Sequence, residues 1–388
     1  MKRVVITGIG LLSTVGNTPG AYWESLLAGG EGLGSRSEQV EVPQVLSPGS
    51  ARRMDRFGIL TVTGAKFALD DSRILSAQPN MERIGCVFTT TCGALSSNMQ
   101  FLNKLLTAGP DFTSPTVFSN TVSNAALGHT TVALGLKGPS TMLMSSSAVG
   151  YGFDLIRAGW ADGLLAGGMD EYHAPIETAY RKKGVVAETE SRPLDKERQG
   201  IKIREGVAML FLEELGHALQ RDARIVAEVV GYGGAFAPVS PERAKEPISS
   251  DPFAAAMRTA LADAGVQPGE VDAIVMAAGG SVWGDLAEAQ AVHTVFGERG
   301  ATLPVTAYKG LLGDTFGSAA TFGVLTGALV VASQTLPPTA GYQTPDEALK
   351  LNVTAPEPLV GLFQHVLVSS YDIGGNVAAI LLKVPTEI

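Results

Sequence analysis

Cysteine and long apolar stretches are scarce in this sequence of 388 residues. Its two cysteines, Cys86 and Cys92, are too few for a disulfide framework and lack the CxxC spacing typical of metal sites. The apolar stretch 319–332 has 14 residues interrupted by glycines, which is shorter than the roughly 18 residues of a membrane span. We therefore expect a reduced protein without metal or other cofactor, in which this stretch is a buried helix.

Positive charge is scarce as well. The sequence has 29 Lys and Arg against 38 Asp and Glu, a net charge of −9, and no long basic run that could follow a phosphate backbone. The N-terminal segment MKRVVITGIG lacks the continuous apolar stretch and the cleavage site of a signal peptide. We expect a cytoplasmic protein that has neither nucleic acid nor membrane as a partner.

Apolar residues and glycine are abundant, since 45% of residues are hydrophobic and 46 are glycine. This composition indicates a globular chain with many tight turns. Apolar β-like runs alternate with amphipathic or buried helix-like runs along the whole chain, which favours an α/β fold. The predicted strands cover residues 3–8, 84–90, 142–145, 163–167, 208–213, 273–277, 304–307 and 378–384. The predicted helices cover residues 21–28, 57–70, 149–158, 251–264, 287–296 and 319–332.

The order of these elements indicates an internal duplication. Residues 54–86 and 254–276 each run from a helix through a polar turn into a strand. Between them, the segment PVSPERAKEPISSD has three prolines and charges of both signs, as expected of an exposed connection. We predict two similar halves, residues 1–250 and residues 251–388.

Seven sequence blocks, taken in order, resemble the β-ketoacyl synthase family of the thiolase superfamily over nearly the whole chain. The blocks are RVVITGIGLLSTVGN, YWESLLAGGEGLG, SPTVFSNTVSNAALGH, ALGLKGPS, LLAGGMD, SRPLDKERQGIKIREGVA and YDIGGNVAAILL. The resemblance implies a thiolase-like, five-layered αβαβα fold of two similar halves.

The resemblance also implies where the reaction chemistry would be, and three positions depart from it. The family's nucleophilic cysteine falls on Ser147, eight residues after Pro139, and its two histidines fall on Ala277 and Asp314. A serine hydroxyl needs a neighbouring base to attack a thioester. Imidazole N–H groups stabilise the enolate formed in decarboxylative condensation, whereas an ionised aspartate repels it. We therefore expect no catalytic residue at these degenerate positions.

Structural roles explain the same residues. Ser147 at the start of a helix is most simply an N-cap, a role favoured over that of a nucleophile. Asp314 is expected to pair with a neighbouring cation, and Lys309 is a candidate partner for it or for Glu288. The residues expected to be structural are Lys309, Glu288, Asp285, Gly374 and Gly375.

With these three positions replaced, the chain resembles the chain-length factor of bacterial type II polyketide synthases, which is a degenerate member of the same family. That resemblance implies a heterodimer with an active ketosynthase, together with an acyl carrier protein that bears an aromatic or aryl-polyene chain. Phe112, Val117, Phe118 and Leu127 are candidates for the tunnel wall, although interface or core packing explains each of them equally well. The typical chain-length factor has glutamine where this chain has Ser147.

Two other hypotheses stay open. In the first, the chain is a Ser147-dependent acyltransferase or thioesterase of a polyketide or fatty-acid pathway, with Asp314 or a histidine as base. In the second, it is a homodimeric protein that binds acyl chains. On the favoured hypothesis the chain has no activity alone and belongs to a β-ketoacyl synthase complex.

Overall fold

The computed structural model describes residues 1–29, 39–144, 147–238 and 246–385. Its strands are β1 (Val4–Ser13), β2 (Ile84–Thr90), β3 (Ser140–Met144), β4 (Gly163–Asp170), β5 (Gly206–Glu214), β6 (Ala227–Phe236), β7 (Ala273–Met276), β8 (Pro304–Ala307), β9 (Thr335–Leu336), β10 (Asn352–Val353), β11 (Leu359–Val360), β12 (His365–Tyr371) and β13 (Asn376–Lys383). Its α-helices are α1 (Pro19–Leu27), α2 (Pro48–Ala51), α3 (Arg56–Ser72), α4 (Leu95–Ala108), α5 (Pro115–Ser119), α6 (Asn124–Leu134), α7 (Ala148–Arg157), α8 (Ala174–Lys182), α9 (Leu215–Gln220), α10 (Asp251–Ala264), α11 (Val282–Phe296), α12 (Lys309–Leu312) and α13 (Ala319–Ser333).

Eleven of the strands form one sheet in the order β10-β8-β7-β12-β13-β6-β1-β5-β4-β2-β3. Its two halves repeat one plan, because β1-β5-β4-β2-β3 and β6-β13-β12-β7-β8 match strand for strand in order and direction. The last strand of each set in chain order, β5 in one half and β13 in the other, lies between two strands of the same half and is antiparallel to both. The halves meet where β1 pairs antiparallel with β6, with Val4 opposite Val229.

The same close packing of a strand against a helix occurs at α3 in one half and at α10 in the other. A Cβ added at Gly10 of β1 would lie 2.2 Å from the Gly64 carbonyl oxygen on α3. A Cβ added at Gly233 of β6 would lie 2.1 Å from the Ala256 carbonyl oxygen on α10. Only glycine permits such a close approach of strand and helix backbones. The predicted duplication is therefore present in strand order and in packing.

Three apolar clusters separate the layers of the fold. The central cluster contains Phe153 of α7 and Phe322 of α13, between the two halves of the sheet. The outer clusters are formed by α3 and α6 on one side and by α10 and α11 on the other. This arrangement confirms the predicted five-layered αβαβα fold. By length and composition the stretch Phe316–Ser333 could cross a membrane, but 78% of it is buried inside the fold.

The division at residue 250 stays a prediction, because half of the proline-rich connection, residues 239–245, lies outside the described residues. Strand β6 ends at Phe236, before that division, although it occupies in its half of the sheet the place that β1 occupies in the other. Predicted elements α10 and β8 have the observed bounds, whereas β6 and β12 were not predicted.

Candidate active-site region

Ser147 lies at the N-terminus of α7, buried in the centre of the fold with 6% of its surface exposed. Its Oγ accepts a hydrogen bond of 3.1 Å from the Gly150 N–H, and its extended backbone (φ −87°, ψ 99°) ends the helix there. This is the N-cap arrangement, which stabilises a helix by about 1 kcal/mol. The serine hydroxyl is therefore occupied as an acceptor in a structural role.

Ala277 follows β7 in a loop that two buried carboxylates of α11 hold in place. The Ala277 N–H donates a 2.8 Å hydrogen bond to Glu288, which also accepts a hydrogen bond from the Ser369 hydroxyl. Asp285 accepts hydrogen bonds from the backbone N–H groups of Leu194 (2.9 Å), Gly279 (3.1 Å) and Gly280 (3.1 Å). Glu288 and Asp285 thus bind the backbone of this loop, and Ala277 contributes no functional group.

Asp314 forms a buried ion pair. Its Oδ2 lies 2.9 Å from Lys309 Nζ, and its Oδ1 accepts a 2.9 Å hydrogen bond from the Phe316 N–H. The backbone of Asp314 is also bound on both sides, since its N–H donates to Lys202 and its carbonyl accepts from the Arg204 N–H. Lys309 therefore pairs with Asp314 rather than with Glu288, and the carboxylate charge is compensated.

Ser147 borders a cavity of about 80 Å³, which we call the Ser147 cavity. The lining also includes Tyr232, Phe316, Ser370, Tyr371 and Asp372. Phe316, whose backbone is left-handed at φ 51°, connects the cavity to the Asp314 turn through its N–H. Ala277 and Asp314 are not among the described residues that line this cavity. The family resemblance implies that positions 147, 277 and 314 share one pocket, and this stays a prediction.

Asp170 stabilises the cavity wall through a hydrogen bond from Gly317, which lines the cavity. This role was not predicted from the sequence. At the end of β4, Asp170 accepts hydrogen bonds from the Thr90 hydroxyl (2.7 Å) and from the N–H groups of Thr91 (2.7 Å), Cys92 (2.9 Å) and Gly317 (2.8 Å). Burial raises its pKa to about 6 despite these donors. A single carboxylate thereby connects the end of β2 to the turn that carries Phe316.

The turn that contains Gly374 and Gly375 forms another part of the cavity wall, where Asp372 and Asn376 line the cavity. The Gly374 N–H donates a 2.7 Å hydrogen bond to Asp372 Oδ1. Gly375 has φ 91°, and a Cβ there would lie 2.2 Å from the Ala237 carbonyl oxygen. Asp372 was missed because the motif drew attention to the glycines, although a carboxylate just before a Gly-Gly turn is a usual sign of a side chain that caps the turn.

The four tunnel candidates lie on the outside of this chain or against its outer core. Phe112 and Phe118 are 67% and 60% exposed. Phe112 and Val117 border a surface groove of about 380 Å³, and Phe118 contacts the Phe101 ring with 5.2 Å between centroids. Leu127 packs partly buried against the cluster under α3. Within this chain alone, the groove is open and is not an enclosed tunnel.

No histidine is hydrogen-bonded to Ser147 in the parts of the chain that the structure describes. His129 bonds to Asn120, His217 to Glu213, and His293 to the Leu349 carbonyl. The described residues also contain no cluster of His, Cys, Asp or Glu that could hold a metal ion. A serine–histidine pair is therefore absent from the described contacts of Ser147.

The buried carboxyl group of Glu288 should make the free energy of unfolding depend on pH. Burial raises its pKa from 4.5 to about 7. Its proton therefore stabilises the folded state fully below pH 4.5, and this contribution is lost as the pH rises through about 7. Relative to Glu288→Gln, the wild-type chain should lose on the order of 2 kcal/mol of unfolding free energy between pH 5 and pH 8.

Urea unfolding of both proteins at several pH values measures this difference. Other buried carboxyls, such as Asp170, are common to both proteins, so their contributions cancel in the comparison. Parallel stability curves for the two proteins would contradict the assignment.

A duplicated five-layered α/β fold with a buried helix N-terminus at its centre defines the thiolase-like class. Comparison with known proteins narrows this class. The family model described as "Beta-ketoacyl synthase, N-terminal domain" matches residues 43–218, and that described as "Beta-ketoacyl synthase, C-terminal domain" matches residues 226–343. The chain belongs to the β-ketoacyl synthase family.

Individual relatives are similar over their full length. The 3-oxoacyl-[acyl-carrier-protein] synthase 2 of Coxiella burnetii is 28% identical over 412 residues, with 98% of each chain covered. The solved structure of the ishigamide ketosynthase/chain length factor has a TM-score of 0.88 and 29% identity, covering 99% of this chain and 100% of that one. A β-ketoacyl synthase from Burkholderia phymatum STM815 has a TM-score of 0.89 with 23% identity and 100% coverage of both chains, a likeness of fold.

Proposed function

We propose that this chain is the non-catalytic, chain-length-factor subunit of a polyketide-forming ketosynthase in the cytoplasm. It pairs with an active β-ketoacyl synthase and shapes the channel for a chain carried on acyl carrier protein. The carrying observation is the site: Ser147 caps a helix, Ala277 lacks a functional group, and Asp314 is bound to Lys309. None of these groups supplies a thiolate or an imidazole N–H, which the condensation requires.

The surface of the chain supports a partner. Strand β3 is at the edge of the sheet with all five residues exposed or half-buried, whereas every residue of β2 and β4 is buried. Unpaired strand edges are sites of association with another chain. Large exposed apolar side chains on β3 and on the elements between β2 and β3 are Met99, Leu102, Leu106, Phe112, Phe118, Val122, Val132 and Met144. We call this surface the β3 face, and its composition fits a stable protein interface.

The similar proteins fit this assignment in complementary ways. The name of the 3-oxoacyl-[acyl-carrier-protein] synthase 2 relatives includes acyl carrier protein. This supports a chain bound to acyl carrier protein as the substrate here. The ishigamide protein is a ketosynthase/chain length factor, which supports the pairing. The proposal is compatible with both an aromatic-polyketide and an aryl-polyene pathway.

Co-expression with a ketosynthase that has the complete Cys-His-His set tests the proposal. We expect a stable complex on gel filtration, elongation of malonyl-primed carrier protein by the complex, and no elongation by this chain alone. In the same complex, Phe112→Ala should change product length, because under the proposed function the groove wall borders the channel. Elongation by the isolated chain, or a stable Ser147 acyl adduct in its mass spectrum, would contradict a non-catalytic role.

A further inference from the structure

Asp372 lines the Ser147 cavity. Its Oδ1 accepts hydrogen bonds from the N–H groups of Gly374 (2.7 Å) and Asn376 (3.1 Å), and from the Asn376 side-chain amide (3.4 Å). In the described part of the chain, no hydrogen bond reaches Oδ2. The turn therefore fixes this side chain by one oxygen and leaves the other available on a residue that lines the cavity.

The described residues that line the cavity include no cationic side chain that could compensate the charge of this carboxylate. Among the described residues that line it, Asp372 is the only charged side chain. Lys309 acts electrostatically on the neighbouring Tyr371, but its charge is already bound to Asp314. The other titratable groups that face Asp372 are Asp314, Tyr371 and Tyr180, none of which carries positive charge.

Among the described features around the cavity, the N-terminus of α7 would attract an anion. A helix N-terminus carries about half a positive charge, spread over its free N–H groups. One of these groups, that of Gly150, is already bound to Ser147 Oγ. A full negative charge on Asp372 therefore outweighs the partial positive charge that remains.

We propose that Asp372 makes the Ser147 cavity selective by charge, so that the cavity admits neutral groups of a few non-hydrogen atoms and repels carboxylates. This inference rests on the proposed function, because it takes the cavity to be the degenerate reaction site. Asp372 is then a specificity-determining residue and a fourth obstacle to condensation. Restoring cysteine and histidines at 147, 277 and 314 would leave the cavity closed to the carboxylate of a malonyl-type extender.

The protonation of Asp372 allows a second, independent test of the proposal. Burial, together with the negative charge of Asp314, raises the pKa of Asp372 to about 6. The carboxyl is therefore mostly ionised above pH 6 and mostly neutral at pH 5. The selectivity should be present at pH 8 and weak at pH 5.

The test places a reporter thiol in the cavity by Ser147→Cys in the full-length chain. Iodoacetamide and iodoacetate have nearly the same shape but differ in charge, and with each the thiolate forms an S–CH2 bond and releases iodide. Peptide mass spectrometry gives the alkylation rate at position 147 apart from Cys86 and Cys92. The readout needs no partner and no activity, so its failure is distinct from a failure of heterodimer formation.

At pH 8 we expect Asp372→Asn, added to Ser147→Cys, to lower the preference for iodoacetamide over iodoacetate about tenfold. Asparagine keeps an oxygen that can accept the turn's hydrogen bonds. The control Asp70→Asn removes the same charge from an exposed site on α3 and should change the preference less than twofold. Without Asp372→Asn, lowering the pH from 8 to 5 should reduce the preference by a similar factor.

Three outcomes would overturn the proposal. An unchanged preference in Asp372→Asn is the first, and an equal change in Asp70→Asn is the second. Absence of alkylation by either reagent is the third, because the cavity would then not admit a neutral group. If Asp372→Asn does not fold, a preference that stays constant between pH 8 and pH 5 overturns the proposal by itself.

Discussion

Replacing Lys309 by methionine should lower the free energy of unfolding by about 3–5 kcal/mol. The side chains of Lys309 and Asp314 are only 4% and 11% exposed, and their charged atoms are 2.9 Å apart. Methionine fills similar space without the charge, which leaves the Asp314 carboxylate buried and uncompensated. Chemical denaturation monitored by circular dichroism measures the loss.

Two matched variants separate the charge from the packing. The double variant Lys309→Met/Asp314→Asn has no uncompensated charge, and its amide oxygen can still accept the Phe316 N–H, so it should recover at least half of the loss. Lys66→Met breaks an exposed ion pair with Asp70 on α3 and should cost less than about 1 kcal/mol. Equal losses in Lys309→Met and Lys66→Met would show that the buried pair has no special role.

Glycine explains where prediction of the fold from sequence failed. The predicted first strand ended at residue 8, whereas β1 continues to Ser13, and β6 was not predicted at all. Both strands contain glycines that normally indicate a strand end or a loop. In this fold, Gly10 and Gly233 are required in mid-strand because a helix carbonyl lies where a Cβ would be. Such a requirement is visible only after α3 and α10 are packed.

The site was predictable where motif spacing fixes it, and not where distant segments meet. Spacing located Ser147 at a helix start and Lys309 beside Asp314, and the structure has both features. Asp372 reaches the cavity because β12 and β13 pair as an antiparallel hairpin whose turn faces the start of α7. No local pattern in the sequence specifies that approach.

Burial of the tunnel candidates shows the same limit. Apolar residues such as Phe112 and Phe118 suggest a wall or a core, but they are largely exposed in the folded chain. Composition alone does not separate a core residue from an interface residue, because both are apolar. Leu127, which has the same apolar character, packs inward.

Under the proposed function, the substitution Val132→Glu should weaken binding of the proposed ketosynthase partner at least a hundredfold, or about 3 kcal/mol. Val132 lies on α6, which packs against β2 and β3, and it is 85% exposed in the β3 face. A charge buried at the centre of an apolar interface without a partner is strongly unfavourable. In the free chain, the same glutamate faces solvent on a helix, where it is a better helix former than valine, so the melting temperature should not fall.

Val360→Glu is the matched control for this interface prediction. Val360 is also apolar and 78% exposed, but it lies on β11, which in the described part of the chain pairs with β9 in a separate two-stranded sheet. The proposal requires Val132→Glu to abolish co-elution with the ketosynthase and Val360→Glu to preserve it. If both variants still co-elute, the partner binds elsewhere. If both are lost, the charge acts on solubility rather than on the β3 face, because only one of the two residues lies beside the unpaired edge of the sheet.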